Sequence, residues 1–267
     1  MRSVRPARTG GCRCISGTPW PPKTSAGFAS APGAAPIYDG YRIDHLVGFY
    51  RTYGRSKLTG EAGFTPADEP SQLALGERLL EVFRSAGAEI IAEDLGTVPD
   101  FVRESLTRLG VPGFRVFRWE RYWHADGQPF RDPSEYPPAS VASSGTHDTE
   151  PQILWWEHAS ADERQKASIL PTVRRTSHDA DLLQAPYNPI VRDALLEALF
   201  ASGSDLLLLP IQDAFGWRDR INEPATITDH NWTYKLPWLV DKLEDAPEAR
   251  QRKDQLRAWS ERYNRHG

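Results

Sequence analysis

Cysteine is nearly absent from this chain: two in 267 residues, Cys12 and Cys14, both near the start. Two such residues cannot build a disulfide framework and do not supply the four-ligand pattern of a zinc site, which fits a reducing, cytoplasmic setting. A basic excess is also missing. Lys and Arg total 32 against 36 Asp and Glu, for a formal net charge of -4. Nothing in that balance draws in a polyanion, so nucleic acid is excluded as the main partner and a neutral, hydroxyl-rich substrate suits it better. No apolar run reaches membrane-spanning length, so no membrane partner is expected. Arg2, Arg5 and Arg8 are not followed by the apolar stretch of a secretory signal. The glycine patterns of dinucleotide sites and P-loops are absent. His45, His147 and the acids near them show no characteristic ligand spacing, so no metal is expected.

What is present is a globular composition, 39% hydrophobic and 25% charged, in a chain long enough for one large domain or two small ones. Residues 1–36 differ from the rest: rich in Gly, Ala, Ser, Pro and Arg, without apolar periodicity, they are expected to be disordered or unlike a native domain. From Tyr38 onward short apolar runs alternate with helical spacings. Strand-like segments fall near residues 42, 90, 116, 142 and 207. Helices are expected over 74–87, ended by Gly87, over PDFVRESLTRLG between Pro99 and Gly110, over 191–202, and from about 245 to 263. The run Leu206 to Leu209 reads as a fully apolar, buried type of strand. Strand–helix alternation with polar residues at the strand ends points to parallel sheet covered by helices.

Three acids follow three of those strands: Asp44 in RIDH, Glu93 in AEDLG and Asp148 in GTHD. Cleaving a glycosidic bond needs one acid to protonate the leaving oxygen and one carboxylate to trap or stabilise the sugar cation, and acids at separate strand ends converge across a barrel mouth. Each of them alternatively caps a helix or faces water. Arg42 stands two residues before Asp44, on the same side of a strand, where it would keep the carboxylate ionised. Glu93 adjoins Asp94, whose charge favours a protonated neighbour, although the two alternate in direction. His147 and Asp148 together suit two hydroxyls of a sugar ring. Of the nine tryptophans, Trp119, Trp123, Trp155, Trp156, Trp217, Trp232 and Trp238 lie beside polar turns, as core packing or as platforms for sugar rings.

In order and context, RIDH, AEDLG and GTHD resemble the 4-α-glucanotransferases, also called amylomaltase or disproportionating enzyme, of the α-amylase superfamily. YRIDHLVGFYR, IIAEDLGTVPDFVRESLTRLGVPGFRVFRW, SSGTHDTEPQILWW, LLLLPIQDAFG and RINEPATITDHNW fit the same family and cover most of residues 38–240. The resemblance implies an α/β fold, part of a TIM (β/α)8 barrel comprising roughly strands 4 to 8 with flanking helices, here within residues 37–267. It implies Asp44 as nucleophile, Glu93 as general acid and then base, Asp148 as the third catalytic carboxylate, Arg42 and His147 as substrate-binding residues, and no organic cofactor. The implied partner is maltodextrin or another α-1,4-glucan, whose segments pass between acceptors through a covalent glucosyl-enzyme. A hydrolase of the same superfamily would use the same carboxylates, and an inactive fragment would only bind maltodextrin. Residues 1–36 stand where the family has strands and an inserted region, so an incomplete barrel with open sheet edges, prone to self-association, is expected. Near Asn222 the family more often has Gly beside the Pro, where this chain has Pro224 and Ala225.

Overall fold

A computed structural model describes residues 40–265 apart from Ala86 and Ala88. The expectation for residues 1–36, with Cys12 and Cys14, therefore lies outside the described residues. The chain divides into two compact units, Met1–Phe114 and Arg115–Gly267. It is mixed α/β with parallel strand pairs, as expected, and each of the five expected strand positions carries a strand.

In the first unit, β1 (Gly40–Ile43) leads through a short helix, α1 (Val47–Tyr50), into an antiparallel hairpin, β2 (Thr52–Arg55) and β3 (Ala62–Thr65). Then follow α2 (Glu69–Ser85), β4 (Glu89–Ala92), α3 (Asp100–Leu109) and β5 (Gly113–Val116), which carries the chain into the second unit. β1 and β4 pair in parallel from Gly40↔Glu89 to Ile43↔Ala92, and Ala92 pairs with Gly113. A parallel pair cannot be joined by a tight turn, so the intervening helices lie against the strands. Their apolar faces meet in a core of Ile43, Leu46, Tyr50, Leu80, Ile90, Ala92, Val102 and Leu106. Tyr50 is fully buried, and its hydroxyl donates to Ser105 Oγ at 2.9 Å, so the polar end of the ring is satisfied. Gly76 makes room for that ring: a Cβ there would lie 2.3 Å from it.

Sequence punctuation explains the helix limits. Pro99 precedes α3 in extended backbone, and Gly110 ends it at φ 65°, its N–H reaching the carbonyls of Leu106 and Thr107. Helix α2 starts at Glu69, earlier than the apolar spacing indicated, because its first turn is polar and exposed.

The second unit continues with 3₁₀ turns at Phe117–Trp119 and Pro133–Glu135, β6 (Ser140–Ser143), and four helices: α4 (Gln152–His158), α5 (Ala161–Ser168), α6 (Pro171–Thr176) and α7 (Pro189–Phe200). Next come β7 (Leu206–Leu207), α8 (Ile211–Phe215), a 3₁₀ turn at Val240–Asp245 and α9 (Pro247–Arg262). The expected strand through Trp119 is shorter than its apolar run, since the chain tightens into 3₁₀ at Phe117. β6 is built of small residues, all buried, and pairs in parallel with β7. Helix α7 is apolar on nearly every side; Asn188 caps its first N–H groups and Pro189 opens it. Its Leu195, Leu196 and Leu199 share a core with Phe117, Phe130, Trp155 and Trp156. The buried type of strand expected at Leu206 to Leu209 is corrected: only Leu206–Leu207 is strand, and Leu206 is 40% and Leu208 51% exposed. Among the described residues β7 ends its sheet, so one of its edges has no pairing strand.

Candidate active site

In the first unit, the register Ile43↔Ala92 sets Asp44 and Glu93 at equivalent positions just past the ends of two paired parallel strands. Main-chain bonds continue the pairing there: Glu93 N–H donates to the Ile43 carbonyl at 2.9 Å, and Leu46 N–H donates to the Glu93 carbonyl at 3.1 Å. Between them His45 turns at φ 48° and its N–H donates to Glu93 Oε2 at 2.6 Å. Arg42 Nη1 lies 2.7 Å from Asp44 Oδ1, as the two-residue spacing on a strand anticipated, with side-chain exposures of 34% for Arg42 and 64% for Asp44.

The two acids sit in different surroundings. Asp44 is exposed and paired with a guanidinium. Burial pushes the Glu93 carboxyl above its ordinary value; the His45 N–H and Arg42 oppose the rise, and the Asp44 charge adds to it. Asp94 turns the other way. It is 2% exposed, accepts the Phe114 N–H at 2.8 Å and receives Arg103 Nη1 at 3.2 Å. Gly113 permits this, because a Cβ there would meet the Asp94 carboxylate at 2.5 Å. Asp94 thus ties the start of β5, while its neighbour Glu93 stays beside Asp44.

In the second unit, His147 and Asp148 occupy the loop after β6. Asp213, 1% exposed, closes the base of that loop: Oδ2 accepts Ser144 Oγ–H and Oδ1 accepts Gln152 N–H, both at 2.6 Å. Its burial raises the Asp213 pKa against those hydrogen bonds and the nearby Arg118 charge. Inside the loop, Thr146 N–H donates to Thr149 Oγ1 at 2.9 Å and Asp148 N–H donates to Thr146 Oγ1 at 3.2 Å. A second clamp comes from RINEP. Arg220 Nη2 donates to the Asp148 carbonyl at 2.9 Å, Arg220 Nε donates to the Asn222 carbonyl at 2.8 Å, and Asn222 Nδ2 donates to Asp148 Oδ1 at 2.6 Å. His147 Nε2 lies 3.5 Å from Asp148 Oδ2, and the two side chains are 36% and 44% exposed. Asp148 also borders a cleft of about 750 Å³ lined by Trp119, Trp123, Arg118 and Glu150 among others.

The structure thus brings Arg42, Asp44 and Glu93 together in the first unit, and His147 with Asp148 in the second. Sequence reasoning assigned no role to Arg220, Asn222 or Asp213. The polar run RINEP was the available signal, but its target lies 74 residues away at Asn222. The tryptophans divide: Trp155 and Trp156 are buried, Trp217 and Trp238 pack with Phe215, and Trp119, Trp123 and Trp232 are exposed. Among the described residues no three His, Cys, Asp or Glu side chains gather as a metal would require, and no helix is long and apolar enough to cross a membrane.

The sequence profile of glycoside hydrolase family 77, described as 4-alpha-glucanotransferase, matches residues 32–241, and the chain belongs to this family. The 4-alpha-glucanotransferase of Chlamydia caviae is 33% identical over 214 residues, covering 78% of this chain and 39% of the relative. The chloroplastic/amyloplastic 4-alpha-glucanotransferase of Oryza sativa subsp. japonica is 29% identical over 84% of this chain and 35% of its own. Amylomaltase from Streptococcus agalactiae, solved in complex with acarbose, superimposes with a TM-score of 0.66 at 23% identity, over 91% of this chain and 45% of that one. The fold is therefore that of part of an amylomaltase chain. The chain spans about two fifths of the length of the Chlamydia relative, 39%.

Proposed function

We propose that this chain transfers α-1,4-glucan segments between maltodextrins with retention of configuration. The observation that carries the reading is the contrast between two adjacent acids: Asp44 is exposed and held against Arg42, and Glu93 is half-buried with its pKa raised. An exposed acid held by a guanidinium beside a second acid whose burial favours the protonated form matches the division of labour that glycosyl transfer requires. An Asp44 oxygen attacks the anomeric carbon as Glu93 gives its proton to the departing glycosidic oxygen, leaving a glucosyl ester on Asp44. Glu93, now ionised, takes the proton of an acceptor 4-hydroxyl. That oxygen attacks the same carbon and frees the Asp44 carboxylate. In the second unit, Asp148 and His147 are assigned to sugar hydroxyls. Asp148 would serve as the third catalytic carboxylate, in contacts that tighten as the ring flattens toward the oxocarbenium ion. Membership of the glucanotransferase family supports this assignment, as does the acarbose complex of the Streptococcus agalactiae neighbour.

The test is a maltotriose assay on the purified chain with products separated by length, and with Asp44→Asn beside it. Glucose together with longer maltodextrins is expected, lost by roughly 10³-fold or more in the variant. Glucose and maltose without longer products would replace transfer by hydrolysis. A folded chain with no turnover would overturn the activity.

A further inference from the structure

Trp232 combines features that neither packing nor chance exposure accounts for. The residue is 65% exposed, yet its backbone is held at φ 64°, a left-handed conformation that a bulky side chain adopts only under constraint. The constraint is visible. Trp232 N–H donates to the Ile221 carbonyl at 2.8 Å, closing the loop from residue 221 to 232. Asn231 staples the interior of that loop: its Oδ1 accepts Glu223 N–H at 3.0 Å, and its Nδ2 donates to Thr226 Oγ1 at 3.1 Å. One end of the loop grips Asp148 through Asn222 at 2.6 Å. The other lays the Trp232 ring beside His147, with centroids 5.3 Å apart and planes tilted by 38°. The strain is thus spent on aiming an aromatic surface at the flank of the His147–Asp148 pair while leaving most of that surface open to solvent.

We propose that Trp232 is a stacking platform for a neutral pyranose ring and that the pinned loop exists to present it. The apolar C–H face of a pyranose packs on an indole, and its hydroxyl edge then faces the donors and acceptors of His147 and Asp148. An anionic ligand would meet the Asp148 carboxylate, and a flat aromatic ligand would offer that pair no hydroxyls. This proposal rests on the α-glucan reading above and adds a residue to its substrate contacts.

Calorimetric titration of the full chain with maltoheptaose tests it, using the unmutated chain, Trp232→Ala and Trp232→Phe, each with a thermal melt. Trp232→Ala is expected to weaken binding roughly 3- to 10-fold, Trp232→Phe to recover most of that loss, and both to melt with the unmutated chain. Unchanged binding in Trp232→Ala overturns the platform while leaving the α-glucan reading intact. Equal weakening in both variants, accompanied by a lowered melting temperature, overturns it in favour of a purely structural Trp232. If the unmutated chain binds no maltoheptaose, the α-glucan reading itself falls, and the platform with it.

Discussion

The two units hold their candidate residues by different means. In the first, Asp44 and Glu93 take their places from the ladder between β1 and β4: main-chain bonds carry on past the strand ends and a backbone N–H reaches the Glu93 carboxylate. In the second, Asp148 sits in a loop outside any strand and is fixed by side chains, Asp213 at its base and Arg220 with Asn222 on its flank. Placement by backbone depends on the register of a whole strand pair, so few single substitutions move it. Placement by side chains rests on individual hydrogen bonds to a charged group, each removable by one substitution. The second unit is therefore where the proposed transfer is most open to loss by one substitution outside Asp44, Glu93 and Asp148.

Asn222→Ala is the largest expected effect of this kind. It removes a hydrogen bond to a carboxylate, about 1.5–3 kcal/mol. That corresponds to a loss of roughly 10- to 150-fold in glucan transfer, carried mainly by kcat, with a melting temperature lowered by several degrees because the folded chain loses the same bond. A variant as active as the unmutated chain would break the contrast between the units. A smaller effect sharpens the first unit. The Glu93 pKa is raised in the folded chain, so its favourable contribution to stability is complete below its ordinary 4.5 and is lost as pH rises through the folded-state value. Glu93→Gln has no such loss. Its melting temperature relative to the unmutated chain is expected to rise from acid to neutral pH, and a constant difference across that range would refute the burial argument. The smallest effect concerns Ala225, which stands at φ 62° where a glycine would carry no Cβ penalty. Ala225→Gly is expected to be neutral or to stabilise by up to about 1 kcal/mol in urea unfolding. Clear destabilisation would mean that the methyl group packs.

The same difference explains what could be read from the sequence. Strands β1, β4, β5 and β6 were visible as short apolar or small-residue runs ending in polar residues, and α3 between Pro99 and Gly110 as a bounded helix. The hairpin of β2 and β3 was not: both strands are exposed throughout, so no burial alternation marks them. Helices α4 to α6 escaped for a related reason. Each is eight residues or shorter, and what decides their burial is the core around α7 rather than their own periodicity. At the site, Asp44, Glu93 and Asp148 were legible because each follows a strand directly, and Arg42 because a strand aligns alternate residues. Arg220, Asn222 and Asp213 were not, since their contacts with the Asp148 loop span at least 61 residues of chain. The departure at Pro224 and Ala225 was legible as a change of residue, and the structure adds that the backbone keeps a glycine-like conformation there.

The staples of the 221–232 loop have a practical side. Ile227 lies between its two anchored ends and is fully exposed, at 104%. A fluorescent label attached at that position would ride on the segment between Asn222, which holds Asp148, and Trp232. With Ile227→Cys as the attachment point and Cys12 and Cys14 replaced, a change in its emission would report the sugar binding proposed above.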